Sequence, residues 1–168
     1  SASLVGSEMC IRDSIHTLQK TAPLSVYTGV ECGMQLITDV VDKNKALCRD
    51  KEFDYIIGSL HLVDGKDPYY PSFWENQEPA ECIQTYFEKI YDNITTFHEM
   101  DSLGHLDYIV RYAPTDYKYQ PEQFREILEA ILQTLIQKDL ALEINTSGFK
   151  TPLSRQNPHE KIIEWYLA

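Results

Sequence analysis

Four short β-rich runs alternate with helix-like segments along this chain, and that alternation restricts it to an α/β fold built on a parallel sheet. The runs cover 25–31 (SVYTGVE), 54–61 (DYIIGSLH), a third starting at 101 (DSLGH) and continuing to 110, and 140–146 (LALEINT). Between them, 35–51 carries Leu36, Ile37, Val40, Val41 and Leu47 at mixed three- and four-residue spacing. Segment 79–99 sets Cys82, Ile83, Tyr86, Phe87, Ile90 and Ile94 on one face, with Pro79 suited to a first turn. Segment 121–138 repeats the pattern with Phe124, Ile127, Leu128, Ile131, Leu132 and Leu135, and a last helix opens after Asn157-Pro158. The expected order is β-α-β-α-β-α-β-α.

In a parallel α/β barrel the chemistry sits at the C-terminal ends of the strands. Three of the runs reach a metal-binding residue there: Glu31, His61 and His105. Each alone has an ordinary explanation. Glu31 suits a helix N-terminus, where the dipole favours an acid, and a single histidine at a strand end is more often just hydrogen-bonded. Three at equivalent positions point to one rim and a shared metal. Asp107 is a candidate to orient a ligand from behind. His98 is expected to face solvent from a helix, and His159 to be structural. The 62–77 loop follows the second run and holds Tyr69, Tyr70, Phe73 and Trp74, a lid, a substrate wall or simply self-packed rings.

A length of 168 residues fits one domain with a sizeable core. The net charge of -11 argues against a nucleic-acid surface, which needs a basic patch. It does not exclude a phosphorylated substrate, because bound metals reverse the local field. Cys10, Cys32, Cys48 and Cys82 form no CxxC pair, as expected of free thiols in a reducing, cytoplasmic setting. No stretch is long and apolar enough for a membrane span, and no signal peptide pattern is present.

Both ends look non-native to a complete fold. Residues 1–14 (SASLVGSEMCIRDS) show neither helical nor strand periodicity, and SEMCIRDS resembles a translated sequencing-library transposon end. They are expected to be a non-native leader without regular structure, the native segment starting near Ile15. The chain stops in a helix at 165–168, so 15–168 is expected to be a partial domain truncated at both ends.

The runs DYIIGSLHLVDGKDPYY, LGHLDYIVRY and LEINTSGFK resemble the histidinol-phosphatase branch of the polymerase-and-histidinol-phosphatase (PHP) family. The resemblance covers essentially 15–168, with three motifs in the right order. It implies a fragment of a distorted (β/α)7 TIM-like barrel with up to three divalent metals (Zn, Mn or Fe). The family's G-x-E, S-x-H and G-H-x-D motifs match Glu31, His61 and His105. Its N-terminal H-x-D-x-H, a further upstream His and its C-terminal D-x-H have no counterpart here. The implied reaction is metal-dependent hydrolysis of L-histidinol phosphate to L-histidinol and phosphate, in histidine biosynthesis, with no protein nucleophile. Arg111 and Lys150 match the phosphate-holding positions, although many relatives have Arg at the second, and Tyr112 is expected to line the pocket. The alternatives are another PHP-type phosphoesterase or nuclease, or a non-catalytic metal-binding barrel. The 168 residues alone are expected to be inactive.

Overall fold

The computed structural model describes residues 2–49 and 53–168. Its elements are α1 (Ala2–Thr21), β1 (Gly29–Gly33), α2 (Thr38–Cys48), β2 (Tyr55–Ser59), α3 (Pro79–Thr96), β3 (Ser102–Leu103), α4 (Arg125–Gln137), β4 (Ala141–Leu142) and α5 (Glu160–Leu167). The four strands form one sheet in the order β1-β2-β3-β4, every pair parallel. Each new strand is laid beside the last with a helix between, the arrangement of a (β/α) barrel wall.

Carboxylates at the strand entrances help set the register. Asp54 precedes β2 and accepts the Thr28 N–H beside β1 at 2.8 Å. Asp101 precedes β3 and accepts the Ile56 N–H of β2 at 2.6 Å. Each β-run that opens with Asp is thereby tied to the strand before it. β1 then pairs with β2 over five residues, from Gly29 opposite Tyr55 to Gly33 opposite Ser59.

The core lies where α3 and α4 cover the sheet. Ile83, Tyr86, Phe87 and Ile94 of α3 and Leu128, Ile131 and Leu135 of α4 are fully buried, together with Leu103, Leu106 and Ile109. Burying a side chain of this size contributes roughly 1.5–3 kcal/mol, so the two helices with the clearest apolar stripes anchor the domain. Pro79 stands in the first turn of α3, where its missing N–H costs nothing. Pro121 opens a 3-10 turn, Pro121–Phe124, that leads into α4.

Several sequence expectations are corrected here. Residues 2–14 are helical, the first part of α1, rather than irregular. The segment lacks an apolar stripe, but it contains no proline, and residues such as Leu4, Glu8, Met9 and Arg12 favour helix on propensity alone. Ile11 and Ile15 line a cleft of about 340 Å³ beside Val30, Glu31 and Phe53, so α1 lies against the β1 edge. The first strand starts at Gly29 and continues two residues past Glu31. β3 and β4 pair over only two residues each, because the chain turns away at Gly104 and again near Asn145. α3 ends at Thr96, so His98 is exposed beyond the helix rather than on it.

Cys32, Cys48 and Cys82 are free thiols, while the side chain of Cys10 lies outside those described. Among the described residues no helix is long and apolar enough to cross a membrane.

Candidate metal centre

Glu31 and His61 reach one place by the two-residue period of the strands, whereas His105, which shares the parity of Leu103 opposite Gly58, joins them because the chain leaves strand geometry after β3. Side chains two apart on a strand share a face. Glu31 pairs with Ile57 across the β1–β2 ladder. Ile57, Ser59 and His61 therefore continue along that face to a point two residues past β2. His105 stands two residues past β3, after Gly104. Gly104 is required by close approach: a Cβ there would lie 2.2 Å from the Ser59 Oγ and 3.0 Å from the Ile57 Cγ2.

Glu31, His61 and His105 form a tight triangle. His105 Nε2 lies 3.1 Å from the Glu31 Oε1, His61 Nε2 lies 3.3 Å from the same oxygen, and the two ring nitrogens are 3.2 Å apart. Ligands about 2.0–2.1 Å from a common tetrahedral ion stand about 3.3 Å from each other. The triangle matches one face of such a coordination shell, and its N,N,O donor set suits Zn, Mn or Fe. Hydrogen bonding from His105, then from His61, outweighs desolvation and holds the Glu31 carboxyl far below the usual carboxylate range. Its oxygens are thus ionised and ready for a cation. His105 is nearly enclosed, its side chain 7% exposed, while His61 and Glu31 are half open at 40% and 46%.

His105 has φ +24, a backbone conformation that side-chain-bearing residues rarely adopt. Its N–H donates to the Glu143 Oε2 at 2.7 Å. Tyr108 packs on both imidazoles, with ring centroids 4.6 Å from His105 and 5.2 Å from His61. From there the rings continue outward through Tyr112 at 5.2 Å, then Tyr69 at 5.6 Å and Tyr70 at 5.2 Å. Burial pushes the Tyr108 phenol well up, so it stays neutral beside the cluster.

Asp107 does not orient a ligand. It is fully buried and turned away, accepting from Arg155 at 3.0 Å, from the His159 N–H at 3.0 Å and from the Asn157 amide. It ties the 155–159 loop to the end of β3. His159 is structural as expected, its Nδ1 accepting the Lys161 N–H at the start of α5.

Arg111, in the 3-10 turn Tyr108–Tyr112, donates to Asn157 Oδ1 at 2.7 Å, Asn145 Oδ1 at 3.1 Å and Ser147 Oγ at 2.8 Å, and lies over the Tyr108 ring. All three acceptors are neutral, so no carboxylate among the described residues offsets its charge. Tyr112 donates to the Tyr108 hydroxyl at 3.0 Å. Lys150 ends the turn Thr146–Lys150, exposed and without a hydrogen bond or ion pair among the described residues. The structure thus brings Glu31, His61 and His105 together, sets Arg111 and Tyr112 around Tyr108, and leaves Lys150 without contact to the cluster.

Sequence reasoning missed Tyr108, Glu143, Arg155 and Asn157. A signal existed for Glu143, a lone acid in the apolar run LALEINT, where burial without a partner would be costly. Arg155 and Asn157 lie in a polar loop with no periodicity to mark them.

Comparison with known proteins agrees with this geometry. The PHP domain model matches residues 8–147. The histidinol-phosphatase of Lactococcus lactis is 37% identical over 149 residues, 84% of this chain and 53% of that protein. The probable histidinol-phosphatase of Clostridium acetobutylicum is 31% identical over 122 residues, 72% of this chain and 47% of the relative. A crystal structure of the Lactococcus lactis histidinol phosphate phosphatase, complexed with Zn, L-histidinol and phosphate, superposes with a TM-score of 0.81 at 29% identity, covering 92% of this chain and 59% of that one. The chain spans about half the length of the curated relatives it matches.

Proposed function

This chain belongs to the PHP domain family, and from that premise we propose that its complete protein hydrolyses L-histidinol phosphate to L-histidinol and phosphate with bound divalent metal. The observation that carries the reading is the Glu31–His61–His105 triangle, whose edges are those of a coordination shell. The relatives that match are histidinol-phosphatases, and the Lactococcus lactis structure is complexed with Zn, L-histidinol and phosphate. We infer the same class of substrate, with up to three Zn, Mn or Fe ions in the complete site, for a cytoplasmic enzyme of histidine biosynthesis.

Glu31, His61 and His105 would hold metal. When bound, the metal supplies Lewis-acid polarisation of the phosphoryl oxygens and lowers the pKa of a water. The remaining work falls to the chain's own groups. Arg111 brings a positive charge that no carboxylate among the described residues pairs with, held in place by three neutral acceptors. A phosphoryl group can take that charge without breaking an ion pair, and a fixed guanidinium is well suited to bidentate contact. Lys150 is the second phosphate contact in this reading, a point charge on a flexible stem. The rings of Tyr108, Tyr112 and Tyr69 run outward from the metal ligands. They offer the organic end of the substrate an aromatic wall, with cation–π attraction for its ammonium group.

The test uses the complete reading frame, stripped with chelator and reloaded with Zn or Mn. Phosphate release is measured from L-histidinol phosphate and compared with turnover of a generic phosphodiester. Metal-dependent release that prefers histidinol phosphate is expected. Preference for the diester would favour another PHP-type phosphoesterase, and absence of bound metal would favour a non-catalytic barrel. In the active enzyme, Arg111→Ala should lower kcat/KM about 10–100-fold, as loss of a charged hydrogen bond implies, with metal content unchanged.

A further inference from the structure

The geometry points to Glu143 as a positioning residue for His105, acting through the histidine backbone rather than its ring. The inference rests on the reading of His105 as a metal ligand. A metal-bound imidazole is usually oriented by a carboxylate or carbonyl on its other ring nitrogen. Here His105 Nδ1 is buried and has no hydrogen-bond partner among the described residues. Asp107, the carboxylate nearest in sequence, is occupied by Arg155, Asn157 and the His159 N–H. The ring nitrogen that faces the cluster is therefore aimed from the backbone.

That backbone needs holding. His105 adopts φ +24, which a side-chain-bearing residue keeps only where its surroundings over-determine it. The Glu143 carboxylate accepts the His105 N–H at 2.7 Å, the length of a charge-assisted hydrogen bond. Glu143 is itself fixed, because its N–H donates to the Leu103 carbonyl at 2.9 Å as the β3–β4 ladder ends. The same carboxylate lies 3.4–3.5 Å from the Asn145 amide, and Asn145 accepts from Arg111. One side chain thus links the backbone of a metal ligand to the support of the phosphate-binding arginine. Glu143 is not among the donors that cluster with Glu31 and His61, and it pairs with no cation among the described residues.

The experiment measures Zn²⁺ affinity of the complete protein by competition with a chromophoric chelator, for wild type, Glu143→Ala and Glu143→Gln. The Ala variant loses the acceptor and should bind Zn²⁺ about 10–100-fold more weakly, the usual cost of losing an outer-shell partner. The Gln variant keeps an acceptor oxygen for the His105 N–H and should return to within a few-fold of wild type. Affinity is read per folded molecule, so a merely structural role would lower the apo melting temperature and leave Zn²⁺ binding unchanged. Unchanged binding in Glu143→Ala overturns the proposal. A Gln variant as weak as Ala overturns it too, since an acceptor oxygen at the His105 N–H would then not suffice to aim the ring. If the Ala variant does not fold, Glu143→Asp retracts the oxygens by one methylene and carries the same test, weaker binding supporting the inference and unchanged binding overturning it. A wild type that binds Zn²⁺ without hydrolysing histidinol phosphate would sink the proposed substrate and leave this comparison readable.

Discussion

The two halves of the sheet hold their rim residues by different means. β1 and β2 pair over five residues in unbroken register, and Glu31 and His61 follow from that ladder through the alternation of side chains. β3 and β4 pair over only two residues. Beyond them the chain is held by side chains: Asp107 on the 155–159 loop, Arg111 on Asn145, Asn157 and Ser147, and Glu143 on the His105 backbone. A ladder positions a ligand cheaply but only along the strand direction. A buried polar network can hold a residue in a backbone conformation that no strand provides, and it makes that half more vulnerable to single changes.

The largest expected effect is at Asp107. Asp107→Ala would leave Arg155, 15% exposed, without its buried partner and strip acceptors from Asn157 and the His159 N–H. Breaking a buried pair from one side costs about 3–5 kcal/mol. Urea unfolding of the complete protein should show a loss of that size, and a loss under about 1 kcal/mol would mean that the network does not hold this half. Glycines give a paired test of the same contrast. A Cβ on Gly148 would meet the Arg155 carbonyl at 2.1 Å and the Asn157 Oδ1 at 2.9 Å, whereas nothing lies within 4 Å of one built on Gly33. Gly148→Ala should cost about 1–3 kcal/mol by forcing backbone apart, and Gly33→Ala should stay within about 0.5 kcal/mol. Equal effects at the two sites would erase the distinction between the halves.

The same contrast decides what could be read from the sequence. Glu31 and His61 were legible because a two-residue period carries a side chain to a known face, and α3 and α4 because their apolar stripes repeat at helical spacing. His105 was legible as a residue but not as a conformation, since a positive φ at a histidine leaves no mark in the sequence. Asp107 was misassigned for a physical reason. Proximity in sequence suggested a link to His105, but the burial that makes its carboxylate valuable also required a cation, and Arg155 supplies one from 48 residues away. Such partners are set by the tertiary fold, and no local pattern announces them. α1 was missed because helix formation there rests on propensity without an amphipathic stripe.

A further predicted effect, smaller than those at Asp107 and Gly148, lies between the two halves, at Tyr86. Its hydroxyl donates to the Leu60 carbonyl at 3.0 Å, pinning the residue before His61 to α3. Tyr86→Phe should cost about 1 kcal/mol near neutral pH, the worth of one such bond. The pH dependence supplies a sharper reading. Burial, reinforced by the charge of Asp107, pushes the Tyr86 phenol well above its ordinary value of 10. The folded state therefore keeps a proton that the unfolded chain releases near pH 10. Stability tied to this group is fully present below pH 10 and falls as pH rises above it, by up to about 1.4 kcal/mol per pH unit. Phenylalanine has no proton to lose. The stability gap between wild type and Tyr86→Phe should thus narrow between pH 10 and pH 11 and then change sign, as followed by urea unfolding at each pH. A gap that stays constant across that range would show that Tyr86 ionises as readily in the folded protein as in water, and that the contact with Leu60 is not the buried bond described here.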